Sequence, residues 1–118
     1  MRVLMFSWEY PPHIVGGLGQ HVAELLPALG NLSGLELHLV TPRWAGGQQI
    51  ERFGSVTVHR VDPPVGENDF YTAAWQTNLR LEEYARQLWE ETGPFDLIHV
   101  HDWLVAFVGA AFKRSYKT

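Results

Sequence analysis

Two short segments of this chain hold the residue types from which a polar site is built. The first is Gly16-Gly17-Leu18-Gly19, with Glu9 upstream and His13 and His21 on either side; the second is His99-Val100-His101-Asp102-Trp103. Paired glycines between a strand and a helix let an anion approach the backbone closely. The first N–H groups of the following helix have no partners of their own, so a phosphate or a developing negative charge suits such a segment. The segment lacks the third glycine of the dinucleotide fingerprint, position 22 being Val, and the Gly-Lys-Ser/Thr of a P-loop. A tight turn that needs glycine for steric reasons produces the same residues.

In the second segment, His99 and His101 lie two apart on a strand and so share one face, while Val100 takes the other. A His-x-His at a strand end suits metal ligation, the reading of a metal-dependent hydrolase. The chain supplies no convincing third and fourth ligands, and no metal is expected. The plainer reading makes His99 a buried, hydrogen-bonded core residue and Asp102 a helix cap, leaving His101, last on its strand, as the candidate for chemistry. Glu9 suits sugar hydroxyls or support of the glycine loop. Trp8 and Trp103 adjoin the two segments and offer faces for stacking on a sugar or base, whereas Trp75 and Trp89 read as helix packing. His21 reads as a solvent-facing helix residue. No nucleophile elbow and no close carboxylate pair in a cleft context is visible.

The elements that must position these residues follow from hydrophobic spacing. Val3 to Phe6 is a continuous apolar run, the pattern of a strand covered on both faces. Leu18, Val22, Leu25, Leu26 and Leu29 recur at helical spacing up to Gly30, with a bend or tightened last turn expected from Pro27. Leu35, Leu37 and Leu39 alternate with Glu36 and His38 before Thr41-Pro42, a second strand. A loop from Arg43 to Gln49, a short edge strand from Ile50 to Phe53, a Gly54-Ser55 turn and a firmer strand from Val56 to Val61 come next. Phe70, Ala74, Thr77, Leu81, Tyr84 and Leu88 mark one face of a helix over 69–92, closed by Gly93-Pro94. Asp96 to Val100 reads as another buried strand and Trp103 to about Arg114 as a helix. Strands alternating with helices imply a parallel, doubly wound sheet with the first and last strands side by side at its centre. Ligands of such sheets bind outside the carboxyl ends of the strands, where both polar segments begin.

Composition limits the function classes. The 118 residues make one domain and are enough to bury about two thirds of the unfolded surface. With 46% hydrophobic and 19% charged residues the chain is globular, and with no cysteine it has neither disulfides nor thiolate chemistry, so a cytoplasmic address is expected. Nine basic residues against thirteen acidic give a formal charge of −4, which disfavours nucleic acid as a partner. No segment is long and apolar enough for a membrane span. The Asp96 to Val100 strand is expected to leave one sheet edge open and apolar, so self-association is expected too.

Taken together, Ser7-Trp8-Glu9-Tyr10-Pro11-Pro12, Val15-Gly16-Gly17-Leu18-Gly19, Leu26-Pro27-Ala28-Leu29, Val40-Thr41-Pro42 and Asp96-Leu97-Ile98-His99-Val100-His101-Asp102-Trp103 resemble, in order and over nearly the whole chain, the N-terminal domain of GT-B glycosyltransferases. The similarity is greatest to the glycogen/starch synthase group and the related group-1 (family 4) transferases. The resemblance implies an α/β, Rossmann-like, doubly wound and mostly parallel sheet, forming part of the N-terminal, acceptor-side half of a GT-B fold over residues 1–118. It implies retaining transfer of a hexosyl unit from a nucleotide-diphosphate sugar, ADP- or UDP-glucose, to a glucan or other acceptor, with no cofactor or metal. Gly16, Gly17 and Leu18 would then lie against the donor phosphate and sugar with Glu9 and Asp102 beside them, and His101 would contact the sugar near the reacting carbon. Where that group carries Lys two residues before the glycine pair, this chain has Ile14. The nucleotide-binding second domain of the family is not in these 118 residues, so the chain alone is expected to be inactive. A non-catalytic phosphate-binding or interaction module of flavodoxin-like shape is the alternative.

Overall fold

In the computed structural model, residues 1–8, 25–31, 34–43, 47–63 and 69–100 are described. Five strands, β1 (Arg2–Phe6), β2 (Glu36–Pro42), β3 (Ile50–Phe53), β4 (Val56–Val61) and β5 (Leu97–Val100), form one sheet in the order β3-β4-β2-β1-β5. β1 pairs in parallel with both β2 and β5, β2 pairs in parallel with β4, and β3 forms an antiparallel hairpin with β4. Helix α1, described over residues 25–29, precedes β2, and α2 (Phe70–Thr92) joins β4 to β5.

The sheet is covered on both sides, which explains why β1 is apolar at successive positions. Leu4, Phe6 and Val40 pack with Leu81, Ala85, Leu88, Trp89 and Phe95 under α2. Val3, Met5, Leu37, Leu39, Val56 and Val58 pack with Leu26 on the opposite face, where Leu29 and Phe53 join them. β2 is two-sided for the same reason. On the face that carries Glu36 and His38, His38 is buried against Phe95. The strand also runs through Thr41 and Pro42, because Pro42 sits at its very end, where a missing N–H is tolerated, and the Arg43 N–H bonds Val61 O at 2.8 Å.

α2 forms where its spacing places it. The Asp69 carboxylate accepts the Thr72 N–H at 2.8 Å as the N-cap, and Gly93, at φ 95°, ends the helix with its N–H on Trp89 O. Trp89 packs inward as expected. Trp75 does not: it is 52% exposed, because its position faces away from the Leu81–Leu88 stripe. At the end of α1, Asn31 N–H bonds Ala28 O in an i−3 contact, the tightened last turn expected after Pro27. The Gly54–Ser55 turn docks there, with Ser55 N–H on Gly30 O.

Two expectations are corrected. β5 does lie beside β1, but it is the outer strand of the described sheet and not a central one. Nor is β5 buried: Leu97 is 48% exposed and His99 is exposed, because only Ile98 and Val100 turn toward the core under α2. His99 is therefore not a buried core residue.

Candidate functional site

From β1 the chain moves outward through β2 to β4, then returns by α2 to the far side of β1 as β5. The strand order reverses between β1 and β5, and in open α/β sheets the crevice outside the carboxyl ends at such a reversal is where ligands bind. Phe6 and Val100 are Cα partners at those ends, with Met5 opposite His99 one step earlier. The chain leaves Phe6 through Ser7 and Trp8 toward the glycine segment, and leaves Val100 toward His101.

The described residues around these ends are closely tied. Ser7 is buried and its N–H bonds Val40 O at 3.3 Å, carrying the β1–β2 pairing one residue past Phe6. Trp8 is partly buried and packs against the core cluster under α2. At the ends of β2 and β4, Arg43 Nη1 meets Asp62 Oδ1 at 3.3 Å. Thr41, at the carboxyl end of β2, is fully buried, and its hydroxyl has no hydrogen-bond partner among the described residues. Of the residues read from sequence as site members, Trp8 alone lies in the described part. Glu9, Gly16, Gly17, Leu18, His101, Asp102 and Trp103 lie outside it, as do His13, His21 and the helix expected from Trp103. His99 lies on the face of β5 opposite Ile98 and Val100. Among the described residues no group of three or more His, Cys, Asp or Glu side chains is arranged to hold a metal.

The described residues also bring together a polar row that sequence reading missed. Glu36 Oε2 lies 2.8 Å from His38 Nε2, His38 Nδ1 lies 2.9 Å from His59 Nε2, and His59 Nδ1 lies 2.7 Å from the Tyr84 hydroxyl. The His38 bond, followed by the Arg2 guanidinium, outweighs desolvation and lowers the Glu36 pKa. Burial, then the charges of His38 and Arg52, lowers His59 to about 4. Burial, then Glu91, raises Tyr84. The signal for this row was present: Glu36 and His38 are spaced by two on β2, and Thr57 and His59 by two on β4. Only the β2–β4 register makes the two pairs neighbours.

At the opposite end of the sheet Arg2 gathers several acceptors. Its Nη1 donates to Gly93 O at 2.8 Å and Pro94 O at 2.6 Å, and its Nη2 to Thr92 Oγ1 at 3.0 Å and Glu36 Oε2 at 3.1 Å. Its guanidinium also lies over the Phe95 ring at 4.4 Å. This cation closes the C-terminus of α2 onto the amino edge of the sheet, away from the crevice.

Residues 2–118 match the family described as the starch synthase catalytic domain. The glycogen synthase of Mycobacterium tuberculosis is 31% identical over 135 residues, covering 98% of this chain and 31% of that protein. The alpha-maltose-1-phosphate synthase of Mycolicibacterium smegmatis is 47% identical over 116 residues, covering 98% of this chain and 26% of that protein. The solved catalytic domain of starch synthase IV from Arabidopsis thaliana, bound to ADP and acarbose, has a TM-score of 0.69 at 21% identity, a likeness of fold, and covers 97% of this chain and 30% of that one. The chain spans a quarter to a third of the length of these relatives.

Proposed function

The chain belongs to the starch synthase catalytic domain family of glycosyltransferases, and from that premise we propose that it is the acceptor-side part of an enzyme that moves a hexosyl unit, glucosyl above all, from a nucleotide-diphosphate sugar to a glucan or other carbohydrate acceptor with retention of configuration. The observation that carries this reading is the pairing of Phe6 with Val100. It sets the strand that leads into the glycine segment beside the strand that leads into His101, at the point where the strand order reverses.

On this reading the amides of Gly16 and Gly17, with Leu18, Glu9 and Asp102 beside them, meet the donor's phosphate and sugar. His101 meets the sugar near the reacting carbon, and Trp8 and Trp103 border the sugar. Departure of a nucleotide diphosphate concentrates negative charge on its phosphate. N–H dipoles already aimed at that place lower the barrier because they need no reorganisation during the reaction. No metal or cofactor is required; ADP- and UDP-glucose are the donors to try first. No helix among the described residues is long and apolar enough to cross a membrane, and a cytoplasmic location accords with a soluble donor.

The test is a turnover assay with ADP- and UDP-glucose on a malto-oligosaccharide. It compares this chain alone with the chain joined to the rest of the Mycolicibacterium smegmatis relative. Transfer by the joined protein and none by the chain alone is expected. Turnover by the chain alone, or a joined protein that folds and binds donor without transferring, overturns the reading. Calorimetric titration with the same acceptor, the sugar nucleotides and inorganic phosphate separates it from a phosphate-binding module, which would take phosphate and ignore the acceptor.

A further inference from the structure

A row of polar side chains crosses the sheet beneath α2, from Glu36 through His38 and His59 to Tyr84. Both imidazoles are buried and stacked with centroids 5.2 Å apart, and Phe95 closes edge-on over His38 at 5.5 Å. A neutral imidazole has one donor and one acceptor, and a carboxylate only accepts. With both rings neutral, His38 Nε2–H donates to Glu36 and His38 Nδ1 is an acceptor. His59 then donates from Nε2, and its Nδ1 accepts the Tyr84 O–H. This one arrangement satisfies every atom along the row.

A first added proton fits by reversal. The His59 Nε2 proton passes to His38 Nδ1, the Tyr84 hydroxyl proton passes to His59 Nδ1, and the phenol oxygen takes the incoming proton at its half-buried end. The charge comes to rest on His38 beside Glu36, and no bond of the row is lost. A second proton has no place on the two imidazoles without breaking a bond of the row. The facing nitrogens, 2.9 Å apart, would both carry hydrogens, and two stacked rings would both be cationic.

We propose that Glu36, His38, His59 and Tyr84 form an acid-operated latch between the sheet and α2, closed with no proton or one added to its two imidazoles and opened by the second. The surrounding charges accord with this. From β1, Arg2 lies 3.1 Å from Glu36; from β3, Arg52 opposes charge on His59; from α2, Glu91 bears on Tyr84; and beyond α2, Asp96 accepts the Arg2 N–H at 2.7 Å. His59, held down to about 4, is the group that refuses the second proton. Because α2 runs into β5, an open latch loosens the strand that leads to His101.

The sign follows from linkage. His59 takes up its proton more readily unfolded than folded, so its contribution to stability is complete above the ordinary pKa of 6.5 and is lost as the pH falls from there to about 4. Denaturant unfolding of the chain from pH 8 down to pH 3 is expected to show His59 lowering the folding constant by roughly 300-fold. In His59→Gln, which does not titrate, the drop should shrink at least tenfold; an unchanged drop overturns the latch. Should that variant not fold, nitrogen NMR of the histidine-labelled wild-type chain at pH 8.5 decides. His59 protonated at Nε2 and bare at Nδ1 is expected, and a proton on Nδ1 at that pH overturns it.

Discussion

Phe6 and Val100, from near opposite ends of the described chain, are Cα partners on parallel strands, and the chain continues from each into one of the two segments proposed as the site. β1 can make this contact because it has β2 on one side and β5 on the other, and α2 is long enough to carry the chain back across it. A crossover between parallel strands needs a dozen or more residues, and α2 supplies 23.

The site reading predicts a loss of rate in the joined, active protein. His101→Ala, which removes the imidazole, and Gly17→Val, whose side chain keeps the donor substrate off the amides, are each expected to lower kcat by about 100- to 1,000-fold, the scale of losing one preorganised donor, with a smaller change in KM. Steady-state kinetics with ADP-glucose checks it. A His101→Ala enzyme with unchanged kcat removes that imidazole from the mechanism.

Arg2 offers a test of the opposite end of the sheet. Arg2→Met loses the bonds to Gly93 O, Pro94 O, Thr92 Oγ1 and Glu36, and is expected to cost about 2–4 kcal/mol in urea unfolding. Arg2→Lys should recover less than half, because one ammonium with three donors cannot reach all four acceptors and stack on Phe95. Full recovery with lysine would show that charge alone matters here.

Two glycines with positive φ separate backbone strain from steric conflict. At Gly54, φ 58°, an added Cβ would meet Gly30 O at 2.1 Å; at Gly34, φ 78°, it would meet nothing within 4 Å. Gly34→Ala is expected to cost about 1–2 kcal/mol, from the left-handed backbone alone. Gly54→Ala is expected to cost about 2 kcal/mol more, because the β3–β4 turn must move off the end of α1. Equal losses in thermal unfolding would mean that the turn moves freely.

The outer position of β5 bears on assembly. With Leu97 half exposed on the last strand of the described sheet, the chain on its own is expected to self-associate at micromolar concentrations. Leu97→Lys should shift sedimentation toward monomer without lowering the unfolding midpoint by more than about 0.5 kcal/mol in equivalent stability. A clean wild-type monomer contradicts this.

Local patterns in the chain are enough to mark most of the elements. The Val3–Phe6 run, the Leu81–Leu88 spacing and Gly93 as stop are local features, readable because hydrophobic period and helix-stop signals act over one or two turns. The glycine and His-Asp-Trp segments are the site proposed from residue type, spacing and family resemblance, and their geometry lies outside the described residues. Packing across the whole sheet settled that His99 is exposed, that Trp75 faces outward, and that Glu36, His38, His59 and Tyr84 form one row. Those facts depend on which strands become neighbours and on which face α2 covers. Both are set by burial over the whole sheet, and no local pattern on β2 or β4 records what will be packed against it.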